Sequence, residues 1–249
     1  MNIVVNDLMT HYEVQGSGRS LLLLHGWGDN LVGLSGLAKT LATHYQVISM
    51  DLPGFGASQP PATVWDLDNY SSFVHDFLGK IDAKPYALIG HSNGGALAIR
   101  AVATETVMTQ KLVLLAASGI RNGQSAKRLA LKVVAKTGNA ATIWLPKTTR
   151  AKLRKKLYGA AGSDLLVVEH LQETFKQTVR QDVQVDAARI KLPVLLIFAD
   201  QDKAVPLVDG RTYHKLIKNS RLEIIPGASH FLHLDEPVLV TKLIEEFLG

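Results

Sequence analysis

The sequence predicts an α/β fold, with a mostly parallel central sheet and helices on both of its faces. Two observations predict it. Short apolar runs, most of them without polar alternation, read as strands buried on both faces, and amphipathic stretches of helical length lie between them. At 249 residues the chain is long enough for one domain with a large core.

Two β-rich runs come first, Asn2 to Val5 and Met9 to Val14, joined by Asn6-Asp7, a pair suited to a hairpin turn. The buried strands follow at Leu21 to Leu24, Gln46 to Met50, Tyr86 to Ile89, Leu112 to Ala116, Val194 to Phe198 and Leu222 to Ile225. Helices are expected over Leu34 to Thr43, Asp68 to Ile81, Gly94 to Ala103, Leu207 to Ile217 and Pro237 to Phe247. The alternation breaks between Gly119 and about Arg189. There Lys127 to Lys136, Thr148 to Tyr158 and Asp164 to Arg180 carry a helical pattern, interrupted by Gly138-Asn139, Pro146 and Gly159 to Gly162. An all-helical insertion between two strands of a parallel sheet is expected to cap the sheet's carboxyl edge, where such folds bind ligands. The predicted division is a core of residues 1–118 and 190–249 and a helical cap of residues 119–189.

The chain has no cysteine, which removes disulfides, thiolate metal sites and a cysteine nucleophile, so its chemistry must use oxygen or nitrogen. The first residues lack the basic-then-apolar order of a signal peptide, and no apolar run approaches membrane-spanning length. The cytoplasm is therefore the default expectation. The net charge of +5 is unevenly placed: thirteen Lys or Arg face four Asp or Glu between Arg121 and Val185, a local +9 that leaves the remainder at −4. This basic segment has too few interleaved aromatics, only Trp144, Tyr158 and Phe175, for a single-stranded nucleic-acid surface, so no nucleic-acid partner is expected. The histidines show no metal-ligand spacing, no Gly-x-Gly-x-x-Gly follows a strand and no P-loop is present. No metal and no nucleotide cofactor are expected.

The most informative stretch is Gly90-His91-Ser92-Asn93-Gly94-Gly95, set between a strand ending at Ile89 and the helical Ala96 to Arg100. Gly90-x-Ser92-x-Gly94 in that context is a nucleophile elbow: a sharp strand-to-helix turn leaves no room for β-carbons beside the serine and holds its hydroxyl above the sheet. The helix N-terminus below favours negative charge arriving there. With this motif the chain resembles the α/β-hydrolase superfamily, in its small esterase-like branch with a helical cap, over essentially its full length. Serine rather than aspartate at the elbow sets it apart from the haloalkane dehalogenases and epoxide hydrolases of that superfamily.

The resemblance implies the remaining parts of a site. Asp202 in Ala199-Asp200-Gln201-Asp202, with Pro206 four residues on, matches the family's acid, Asp200 being the alternative; Ala199 stands where glycine is usual. His230, three residues past Gly227, matches the base, and His233 is its competitor, better suited to a supporting role. The order Ser92, Asp202, His230 is the superfamily's order and neither that of chymotrypsin-like nor of subtilisin-like enzymes. Backbone N–H groups of Trp27, in Leu24-His25-Gly26-Trp27-Gly28, and of Asn93 are expected to form an oxyanion hole. His25 is expected to brace its loop and His91 to pack beneath the elbow, while Asp51 to Ser58 resembles a structural loop of the family. The implied activity is hydrolysis of a carboxylic ester of small or medium size through an acyl-enzyme. Two alternatives stand beside it. One is hydrolysis of an activated carbon–carbon bond, although relatives with that activity often carry Trp after the base where this chain has Phe231. The other is a non-turnover ligand receptor on a hydrolase scaffold.

Overall fold

The computed structural model describes residues 1–121 and 171–249. Eight strands form one sheet in the order β1-β2-β4-β3-β5-β6-β7-β8. The strands are β1 (Asn2–Val5), β2 (Leu8–Gln15), β3 (Ser20–Leu24), β4 (Gln46–Met50), β5 (Ala87–His91), β6 (Lys111–Leu115), β7 (Val194–Ala199) and β8 (Ser220–Ile225). β1 pairs antiparallel with β2, and β2 with β4; all other neighbours are parallel. Asn6 and Asp7 both take positive φ, 47° and 62°, as a two-residue hairpin turn between right-twisted strands requires.

The helices are α1 (Ser35–Leu41), preceded by a 3-10 turn at Leu31–Leu34, α2 (Leu67–Lys80), α3 (Asn93–Ala103), α4 (Gln172–Arg180), α5 (Gln184–Arg189), α6 (Leu207–Leu216), α7 (Leu232–Asp235) and α8 (Pro237–Leu248). Strand pleating divides the apolar residues between two cores. Leu22, Leu24, Ile48, Leu88, Leu112, Leu114 and Leu196 face α2, α3, α5 and α6, whereas Leu21, Leu23, Val47, Ile89, Val113, Leu115 and Ile197 face α1 and α8. Each central strand is thus buried on both sides, which is why its sequence shows no polar alternation. α2 opens with a capping box: the Asp66 side chain accepts from the amides of Asp68 and Asn69, and the Asn69 side chain accepts from the Asp66 amide.

β3 lies between β4 and β5, so the chain winds away from β3 in opposite directions. The loops after β3 and β5 therefore part at the carboxyl edge and leave a crevice at the point where the winding reverses. The cap expected over this edge falls largely outside the described residues, as do the helices expected at Lys127 to Lys136 and Thr148 to Tyr158 and the basic cluster from Lys147 to Lys156. Of the helix expected over Asp164 to Arg180, α4 is the described part. The insertion's neck is closed by Val183 N–H donating to Gly119 O at 3.0 Å and Gln184 Nε2 to Arg121 O at 3.3 Å. α5, which the helical pattern did not single out, packs on α3 and α6, and Asp186 pairs with Arg100 of α3 at 2.8 Å.

Candidate active site

Ser92 is the residue between β5 and α3, and its backbone is strained, with φ 53° and ψ −117°. The neighbours that force this conformation are backbone atoms. A β-carbon on Gly94 would stand 2.3 Å from the Leu24 carbonyl oxygen and 2.5 Å from that of His25, so only glycine lets α3 begin so close to the end of β3. β6 and the segment just after it hold both backbone groups of the serine: Ser92 N–H donates to Leu115 O at 3.0 Å and Ser118 N–H donates to Ser92 O at 3.0 Å.

His230 lies on the loop after β8. Its Nε2 is 2.9 Å from Ser92 Oγ and its Nδ1 is 2.7 Å from Asp202 Oδ2. A carboxylate can only accept, so Nδ1 carries the proton and the Nε2 lone pair accepts from the serine hydroxyl. The Asp202 side chain is fully buried, and its Oδ1 accepts from the amides of Ala204 at 2.7 Å and Val205 at 2.9 Å, so the loop after β7 fixes the carboxylate's rotation. Asp200 points elsewhere. It is exposed, and its Oδ1 accepts from Gly227 N–H at 2.8 Å, bracing the turn that leads to His230.

The His230 loop is tied at two further points. Ser229 N–H and Oγ–H both donate to Asp235 Oδ2, at 2.7 and 2.6 Å, and these bonds hold the Asp235 carboxyl below its ordinary pKa. The His230 carbonyl oxygen lies 3.0 Å from His91 Nε2. His233 is buried, with Nε2 3.2 Å from Gly33 O; burial pulls its pKa down.

The loop after β3 runs beside the serine: a β-carbon on Gly26 would lie 3.1 Å from Ser92 Cβ. Its backbone is fixed by His25, whose Nδ1–H donates to Gly26 O at 2.8 Å while Nε2 accepts from Leu52 N–H at 3.0 Å. Full burial pushes His25 below its ordinary pKa and keeps it in this neutral, bridging form. Asp51 anchors the neighbouring loop by accepting from Leu31 N–H and Ala57 N–H, each at 2.8 Å. The Trp27 ring meets Phe55 edge-on at 4.9 Å and Phe175 of α4 at 5.0 Å, which holds the side chain in place. Asn93 is the first residue of α3. In a helix's first turn the amides have no partner within the helix and point outward along its axis.

Ser92, His230 and Asp202 thus meet at the carboxyl ends of β5, β8 and β7, and the chain as a whole is similar to known proteins. A model of the alpha/beta hydrolase family matches residues 21–243. The chain belongs to this family. Among relatives, the serine hydrolase BPHL of Homo sapiens is 28% identical, over 99% of this chain and 85% of that protein. The pimeloyl-[acyl-carrier protein] methyl ester esterase of Pseudoalteromonas atlantica is 28% identical, over 86% of this chain and 88% of that protein. Among solved structures, the bromoperoxidase from Bacillus anthracis superposes with a TM-score of 0.78 at 22% identity, covering 100% of this chain and 99% of that one. That likeness is one of fold.

Within this alpha/beta hydrolase frame, two contacts of the His230 loop had no distinct signal in the sequence. One is the tie from His91 to the His230 carbonyl, made across 139 residues of chain. The other is Asp235, whose grip on Ser229 depends on α7, a helix of four residues too short to register as a periodic pattern. No helix among the described residues is long and apolar enough to cross a membrane.

Proposed function

We propose that this alpha/beta hydrolase cleaves a carboxylic ester of a small or medium-sized substrate through an acyl-enzyme on Ser92. The observation that carries the reading is the unbroken chain Ser92 Oγ, His230, Asp202, with contacts of 2.9 and 2.7 Å. A serine hydroxyl is almost wholly protonated at neutral pH and needs a base within hydrogen-bond reach, which His230 Nε2 supplies. As Oγ bonds to the ester carbonyl carbon, its proton passes to Nε2, and Asp202 stabilises the imidazolium through Nδ1–H. The negative charge on the former carbonyl oxygen is met by the backbone N–H groups of Trp27 and Asn93, each contributing about 3 kcal/mol in sites of this kind. Collapse breaks the ester C–O bond and the alcohol leaves with the proton from His230. Water then gives a proton to the same nitrogen, attacks the acyl carbon and frees the acid and Ser92.

Two relatives support the reading by name, one as a serine hydrolase and the other, a methyl ester esterase, for ester chemistry itself. The reading is tested by a fluorophosphonate probe followed by peptide mass spectrometry, beside turnover of nitrophenyl esters from acetate to palmitate. Labelling of Ser92, and loss of several orders of magnitude of activity in Ser92→Ala, is the expected result. Ester turnover retained in Ser92→Ala would overturn it. A Ser92 that labels while no ester in the panel turns over points instead to a ligand receptor on a hydrolase scaffold.

A further inference from the structure

Against the catalytic histidine packs a second imidazole that the triad chemistry leaves without a task. His91 is 1 % exposed and sits in the chain directly before Ser92. Its ring contacts that of His230 with centroids 4.9 Å apart and that of His233 at 4.8 Å. Its Nε2 is 3.0 Å from the His230 carbonyl oxygen, whereas its Nδ1 is buried without a hydrogen-bond partner among the described residues. The backbone of Gly26 lies against that nitrogen, since a β-carbon there would stand 3.1 Å from Nδ1.

We infer that His91 is a positioning residue that sets the distance between nucleophile and base, through an Nε2–H bond to the His230 backbone. The inference rests on the reading of Ser92 and His230 as nucleophile and base. A carbonyl oxygen can only accept, so Nε2 bears the proton and Nδ1 is left as a bare lone pair facing Gly26. The loop bearing His230 thus reaches the nucleophile by two routes. One is the side-chain bond from Ser92 Oγ to His230 Nε2. The other runs from the Ser92 backbone through one peptide bond to His91 and one hydrogen bond to the His230 carbonyl. The second route does not change during the proton transfer, so it holds the imidazole in place when the first is remade as an acyl-enzyme.

The same geometry keeps the transferred proton on one ring. A proton on His91 Nδ1 would be a buried donor without an acceptor, beside a second imidazole that is charged during the reaction. The charged and titratable groups around this stack are Asp202 on His230, His233 with Asp29 and Asp235 near it, and His25 with Asp29 and Asp51 near it. None of these carboxylates touches His91. Burial, and secondly the neighbouring His230 and His233, hold its pKa well below the ordinary histidine value.

His91→Phe retains a flat ring and removes the donor. His91→Gln places a carboxamide nitrogen at about the reach of Nε2. The expected result is a kcat for a short nitrophenyl ester that falls roughly 10- to 100-fold in His91→Phe at nearly unchanged KM, with the rate of Ser92 labelling by a fluorophosphonate falling in parallel. His91→Gln should recover to within about threefold of the parent. Equal impairment of the two variants, or a Phe variant as fast as the parent, overturns the inference. Should either variant fail to fold, nitrogen-15 spectra of the parent protein decide: they should show a neutral His91 ring protonated at Nε2 from pH 5 to pH 9. A ring protonated at Nδ1 or titrating in that range refutes it. A parent protein whose Ser92 does not label would instead sink the functional reading, whatever the state of His91.

Discussion

Replacing Asp202 by asparagine removes one charge and nothing else from the shape of the site. Oδ1 of Asp202 accepts from two backbone amides, at 2.7 Å from Ala204 and 2.9 Å from Val205, so the asparagine oxygen must stay on that side. Its NH2 group then takes the place of Oδ2, 2.7 Å from His230 Nδ1. Two donors now face each other. The imidazole escapes by moving its proton to Nε2, which points the N–H at Ser92 and removes the lone pair that must take the serine's proton. In an arrangement of this type the loss in kcat is about 10⁴-fold, or roughly 5 kcal/mol of transition-state stabilisation. Asp200→Asn is the matched control. Asp200 accepts one amide, that of Gly227, and asparagine keeps an acceptor for it, so the expected change is within about threefold, under roughly 1 kcal/mol. The assay is kcat/KM for a short nitrophenyl ester, with circular dichroism melts to establish that both variants fold. An Asp202→Asn enzyme keeping a tenth of its activity, or an inactive Asp200→Asn, refutes the reasoning and shifts the acid by two residues.

Three further outcomes are expected. Because Ser92 holds φ 53°, Ser92→Gly should be more stable than Ser92→Ala by about 1 kcal/mol, raising Tm by about 2–4 °C; equal melts would show that the elbow is not strained. His25, His91 and His233 all have pKa values lowered from 6.5, by burial first, so below that value the unfolded chain binds more protons than the folded one. Stability should be whole above pH 6.5 and fall on acidification, by up to about 1.4 kcal/mol per pH unit for each group, and urea midpoints that hold constant from pH 7.5 to 5.5 would contradict this. Gly94→Ala should fail to accumulate as folded protein, because its new methyl meets backbone, while Gly79→Ala, in α2 with nothing within 4 Å, should gain about 0.5–1 kcal/mol in denaturant titrations.

Much of this architecture was legible in the residues themselves because period and burial coincide. Leu21 to Leu24 alternate between two cores, and a strand buried on both faces has nowhere to place a polar side chain. The elbow was legible for a steric reason, since glycine flanks a strained serine wherever a strand turns so abruptly into a helix. The match of Asp202 and His230 to their loops came from resemblance, and nothing in their local spacing says that they meet. Their meeting depends on the order β5-β6-β7-β8, in which each strand adds a parallel neighbour and delivers the loop at its end to the same edge. The ties that hold the loops were illegible. His91 to His230 and Asp51 to Leu31 are single hydrogen bonds between side chain and backbone, Asp235 takes one bond from the Ser229 backbone and one from its side chain, and such bonds leave no periodic trace.

Strand register connects these observations. Ser92 follows a strand paired with β6 so that Gly90 lies beside Leu114 and His91 beside Leu115, and its amide continues the ladder to the Leu115 carbonyl. Just past that bond, Ala116, fully buried, also takes a left-handed backbone, with φ 44°. The chain then returns to offer Ser118 N–H to the Ser92 carbonyl, while Ser118 O accepts from the Tyr213 hydroxyl of α6 at 2.5 Å. Strain at Ser92 is therefore balanced against a ladder that runs through two strands into a helix on the sheet's face. A slip of one residue between β5 and β6 would turn every core side chain to the wrong face, so the sheet cannot relax the serine by sliding. β7 and β8 fix the other half of the site in the same way, with Ala199 beside Ile225 placing the Asp202 and His230 loops on adjacent strand ends. What the loops add is fine adjustment over a few residues, and this explains why the ties to the His230 loop, at Gly227, Ser229 and the His230 carbonyl, crowd into four consecutive positions of the chain.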